Sequence, residues 1–268
     1  MHVKSAPPSP ARFVDFLTPE RTLERLGAAA RAEAASVYPD PAPTLVIIGI
    51  PAIAAFVAAL FVVGTRLAAL RAGAPDVGRQ TQRALLIASL WTLAFGVAAG
   101  SGVLAKFDAR PPPLALAMLA ILVGSIGFGT SRIAAPLSRL PLAWLIGFQA
   151  FRLPLELVMH EAATAHVMPN ALPFTGYNFD ILTGTLAIPV SIAVARGVAP
   201  RWLIQAWNFL GIGCLLAILA IAIVTAPFVG ALGPGELNSW VAYLPFIYLP
   251  AILVTAAVIG HILVLRQL

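Results

Sequence analysis

Seven long runs of apolar residues, separated by short polar stretches, dominate the chain. They fall at about 44–70, 84–104, 112–131, 141–163, 181–197, 202–229 and 241–265. A helix needs about 20 residues to cross the hydrocarbon core of a bilayer, and most of these runs meet that length. The pattern predicts an all-α, polytopic bundle of about seven transmembrane helices. The fifth run is short and contains Pro189. The fourth is interrupted by charge, so a re-entrant pair would reduce the crossings to five. No internal repeat is visible, so the inverted-repeat signature of many transporters is missing.

Before the first run lies a polar tail, residues 1–43, followed by a membrane domain over 44–268. Within the tail, Thr18-Pro19-Glu20 starts a predicted helix: an N-cap residue, Pro at the first helical position, an acid in the first turn. Leu23, Leu26 and Ala30 give that helix a modest apolar stripe, which suits a membrane surface or a bundle. The tail lacks the continuous apolar core of a signal peptide.

Composition agrees. Of 268 residues, 60% are hydrophobic and 10% charged, and the mean hydropathy is +0.91. Soluble domains carry about 25% charged residues. The net charge of +6 does not point to nucleic acid, because the basic residues sit mostly in short loops between apolar runs. Nine of them, Arg66, Arg71, Arg79, Arg83, Arg132, Arg139, Arg196, Arg201 and Arg266, share one side if there are seven crossings, against Lys106 and Arg110 on the other. The positive-inside rule then places the N-terminus outside and the C-terminus inside. The expected location is the inner membrane of a bacterium.

The fourth run carries the chemistry. Arg152, Glu156 and His160 follow each other at intervals of four, with Gln149 one turn earlier, so all lie on one helix face. Counted from Pro141 at 1.5 Å per residue, Arg152 lies about 16 Å deep, near the midplane, and His160 near the outer surface. A charge at that depth costs at least about 2.5–3.5 kcal/mol, so it belongs in a bundle interior or a wet cavity. Such a line suits a proton or ligand pathway opening outward. It equally suits a buried ion pair that locks helices together. The next loop holds Asn178 and Asp180 and no basic residue. Asp180 has two candidate roles, N-cap of the fifth helix or partner of the charged line. Asn208, in the sixth run, has two candidate roles, a helix–helix hydrogen bond or a place with Asn178 in the ligand or proton pathway. His261 is placed near the inner end of the last helix, at headgroup level.

Several chemistries are excluded or weak. The lysines, Lys4 and Lys106, leave none inside a run for a retinal Schiff base. His160 and His261 lie at different depths for a bis-histidine haem. A zinc site from His160, His166 and Glu156 or Asp180 lacks any His-Glu-x-x-His spacing. The single cysteine, Cys214, excludes an internal disulfide. No P-loop exists. No cofactor and no metal is expected.

The run Phe151-Arg152, Glu156, His160, then Gly176, Asn178-Phe179-Asp180-Ile181 and Gly184, resembles a group of uncharacterised bacterial multi-pass membrane proteins. The closing His261 and Leu265-Arg266-Gln267-Leu268 are similar too. The resemblance implies a membrane fold and brings no established activity.

These features favour a permease or transport-related protein that binds a small polar or anionic solute, or protons, from the outer side. Arg152 would attract the anion, and Glu156 and His160 would exchange protons. Two alternatives stand beside it. One is an intramembrane enzyme acting on a lipid-type substrate, with Glu156 or Asp180 and His160 as acid and base. The other is a non-catalytic subunit or sensor whose charges hold helices together. The expected partners are membrane lipid, that solute, and a second copy or a larger membrane complex.

Overall fold

A computed structural model describes residues 42–268 of the chain. The expectations for the tail lie outside the described residues. Seven helices appear: α1 (Thr44–Arg71), α2 (Val77–Gly100), α3 (Pro113–Thr130), α4 (Leu142–Thr164), α5 (Asp180–Ala195), α6 (Arg201–Val224) and α7 (Leu249–Leu265). No strand occurs among the described residues. Five of the helices, α1, α2, α3, α4 and α6, are long and apolar enough to cross a membrane. This is therefore a multi-pass α-helical membrane protein. The fourth run is among the five, so its charges do not interrupt the helix. The short helices are α5, at 16 residues, and α7.

Element ends follow local chemistry. Helix α2 starts seven residues before its apolar run, because Arg79, Gln80 and Arg83 are helical but too polar to register as apolar sequence. Helix α7 starts eight residues later than its run. Pro245 and Pro250 cannot donate the amide bonds that a helix from 241 would need. Its first segment, Leu249–Val254, is instead a π-helix, and the indole Nε1 of Trp91 on α2 donates to the Ala251 carbonyl there at 2.7 Å. In α4, Pro154 cannot bond back to Ala150. The helix tightens into a 3₁₀ turn at Gln149–Phe151 just before it.

Helices α4 and α7 occupy the centre: α4 packs against α1, α5 and α7, and α7 also meets α3 and α6. The buried apolar residues form two clusters. One gathers Val46, Ala99, Leu114, Ala162 and Trp240. The other gathers Ala68, Leu137, Leu145, Val190, Ile204 and Val264. The second unites the C-terminal ends of α1, α5 and α7 with the N-terminal ends of α4 and α6, so these helices alternate in direction. Arg266 strengthens that end: its Nη1 donates to the carbonyls of Gly129 and Ser131 at 2.8 and 2.9 Å, a cation on the C-terminal dipole of α3. Gln267 donates to the Leu140 carbonyl at 2.8 Å.

Candidate functional site

The amphipathic logic of α4 is carried through. Its interior face holds Gln149, Arg152 and Glu156, with 0%, 1% and 1% of their surface exposed. Opposite stands the start of α5, preceded by Asn178. Gly184 makes the approach close enough: a Cβ there would come within 2.8 Å of the Leu153 backbone nitrogen and 3.0 Å of the Arg152 Cβ. Any side chain would push α5 away from the guanidinium.

Within this contact Arg152 Nη1 donates to Asp180 Oδ1 at 2.7 Å. Asn178 Nδ2 donates to Glu156 Oε1 at 2.7 Å, and Asn178 Oδ1 accepts the Asp180 backbone N–H at 2.9 Å. Asn178 thus links the Glu156 carboxylate to the backbone of the first turn of α5. The sequence left Asp180 between capping the helix and joining the charged line. Its side chain makes no cap bond, and it pairs with Arg152. A guanidinium offers five N–H donors. Nε and Nη2 of Arg152 have no protein acceptor. Beside the four residues lies a cavity of about 30 Å³, lined on its other sides by apolar residues of α6 and α7 such as Leu215 and Leu253.

His160 departs from the line. It is half-buried two turns above Arg152, its Nδ1 is 3.3 Å from the Thr175 hydroxyl, and its ring meets Phe174 at 5.2 Å. The sequence spacing put it on the same face, but its side-chain contacts are to Phe174 and Thr175 of the following loop rather than to the cluster.

A second polar group lies deeper. Gln149 Nε2 donates to the Ala257 carbonyl on α7 at 3.1 Å, and its Oε1 has no protein donor. Asn208 Oδ1 on α6 accepts the Nδ1–H of His261 at 2.8 Å, and since an amide oxygen only accepts, this contact sets the imidazole tautomer. Asn208 Nδ2 reaches the His261 carbonyl at 3.4 Å. His261 is 1% exposed, stacked obliquely on Trp207. This corrects its expected place at headgroup level. It lies in the interior because Gly211 leaves room: a Cβ there would overlap the imidazole. The signal was present in the sequence. Ala257, Gly260, His261 and Val264 recur at i, i+3, i+4 and i+7, the spacing of a buried face. Among the described residues, no three His, Cys, Asp or Glu side chains come together as a metal site.

The cluster joins one cation, two carboxylates and an amide in the buried interior of the bundle. That arrangement can hold a charge or relay a proton. Compared with protein-family models, with curated proteins and with solved structures, the chain finds no match. The geometry of these residues therefore carries the functional argument.

Proposed function

We propose that this is a proton-handling, transport-related protein of a bacterial inner membrane, crossing it seven times with its N-terminus outside and its C-terminus inside. The observation that carries the reading is Glu156: 1% exposed, hydrogen-bonded to a neutral amide, beside a cation already committed to Asp180. Ionisable groups inside a membrane are costly and are functional candidates by default. Arg152 bonds Asp180 through Nη1 and keeps Nε and Nη2 without a protein acceptor, so the argument against an organic anion is one of space. The adjoining cavity, about 30 Å³, has room for about two water molecules, which suits a proton better than an organic solute. Glu156 then carries the proton, and the Arg152–Asp180 pair with Asn178 fixes its position. The nine-to-two split of basic residues supports the orientation.

The tight Arg152–Asp180 pair favours one second reading, a membrane subunit in which the charges hold α4 to α5. The enzyme reading has less support, since the cavity beside the cluster, about 30 Å³, is too small for a lipid-type substrate.

The test is reconstitution of the full chain in vesicles with a pH-sensitive dye inside, wild type beside Glu156→Gln, together with infrared difference spectra across the neutral pH range. Proton uptake by the wild type, with a carboxylic-acid band that titrates and disappears in Glu156→Gln, supports the reading. No flux and no titrating band, with both proteins folded, overturns it and leaves the subunit reading.

A further inference from the structure

On the far side of α7 from the charged cluster lies a much larger cavity of about 880 Å³. It is a half-open groove lined chiefly by α1, α2, α4 and α7. Its walls are apolar: Val57, Phe61, Leu67, Trp91 and Phe148 are typical. The few polar side chains in the wall are already satisfied. Thr92 donates to the Ala88 carbonyl at 2.8 Å, Ser191 to the Ile188 carbonyl at 2.8 Å, and Thr255 pairs with Ser125 at 3.1 Å. No wall group calls for water or a polar ligand, and an apolar cavity stays dry. The size falls in the range of small-molecule sites, about 300–1,000 Å³.

One end of the groove carries charge. Leu137, Leu140 and Trp144 close it there, and the Arg71 guanidinium lies 4.4 Å above the Trp144 ring. Stacking on the ring leaves the N–H donors of Arg71 at the edge of the groove. Arg139 is exposed between Leu137 and Leu140. Neither arginine has an ion-pair partner among the described residues. This is the basic end of the bundle, where nine arginines face a single acid, Asp76, among the described residues.

Length identifies the occupant. The wall on α1 extends from Val57 to Leu67, about 15 Å at 1.5 Å per residue. That is half of a hydrocarbon core of about 30 Å, the depth of one leaflet. Arg71 lies one turn further, at headgroup level.

We infer that this groove is a binding site for one anionic phospholipid, its acyl chain between α1, α2 and α7 and its phosphate on Arg71 and Arg139. The site is separate from the charged cluster and stands whether or not that cluster moves protons.

The test uses the purified full chain, exchanged into mixed micelles containing equal phosphatidylglycerol and phosphatidylcholine, with bound lipid counted by native mass spectrometry. The wild type retains one phosphatidylglycerol in preference to phosphatidylcholine. Arg71→Gln lowers that preference about fivefold, the worth of one basic residue at an anionic surface. Ala58→Trp and Ala88→Trp, filling the groove from opposite walls, abolish retention while the protein elutes as a single species. Equal retention of both lipids by the wild type overturns the proposal. So does unchanged retention in the two tryptophan variants, each of which enters from a different helix, so that misfolding of one leaves the other informative.

Discussion

Arg152 and Asp180 are 28 positions apart in the chain, yet the guanidinium Nη1 and the carboxylate Oδ1 meet at 2.7 Å in the interior of the bundle. The pair joins α4 to the first turn of α5. Removing one partner of a buried pair leaves an uncompensated charge, which costs about 3–5 kcal/mol, whereas an apolar pair of similar volume is often tolerated. Asp180→Asn should therefore lower the thermal midpoint in detergent sharply. Arg152→Met combined with Asp180→Leu should recover most of that loss. A double variant no more stable than Asp180→Asn would show that the pair does not set the stability of this contact.

The bundle itself was legible in the apolar pattern, because lipid imposes long runs whatever the tertiary contacts. The ends were less legible. Helix α2 continues into Arg79 and Gln80 because a helix leaving the apolar layer needs no apolar residues, and α7 begins late because two prolines withhold amide donors. Within the site, spacing of four on α4 correctly placed Arg152 and Glu156 on one interior face. It could not show what that face meets. Asn178 and Asp180 come from beyond a loop, and only the close approach at Gly184 brings them to Arg152. Conversely, His160 shares the face but contacts Phe174 and Thr175 of that same loop instead of the cluster. His261 was expected to meet headgroups because it lies near the end of its run, while the small residues around it already mark a buried face.

Glycine at 184 and 211 should prove sterically required. In Gly184→Ala the new methyl meets the backbone of Leu153, which cannot rotate away, and the α4–α5 contact must open. In Gly211→Ala it meets the His261 ring. Overpacking of this kind costs about 1–3 kcal/mol. Gly213→Ala is the control, since nothing lies within 4 Å of its Cβ. Thermal unfolding of the three variants should show losses at 184 and 211 and none at 213. Equal midpoints for all three would mean that the helices are packed less closely than described.

The two histidines should separate by chemistry as well as by stability. His160 reaches only the Thr175 hydroxyl, at the long distance of 3.3 Å, and lies half-exposed under the loop. His160→Ala should leave the thermal midpoint within about 0.5 kcal/mol of wild type, as for substitutions away from packed features. His261 bonds Asn208 at 2.8 Å between α7 and α6. Interhelical hydrogen bonds in membranes average about 0.6 kcal/mol and reach about 1.7. His261→Leu should lose that amount, and a cycle with Asn208→Leu should return it as a coupling energy. A water-soluble imidazole reagent should modify His160 in the folded protein and spare His261. Modification of His261 at a comparable rate would show that α6 and α7 part readily in solution, and the interior histidine would then have to be treated as part of an accessible pathway.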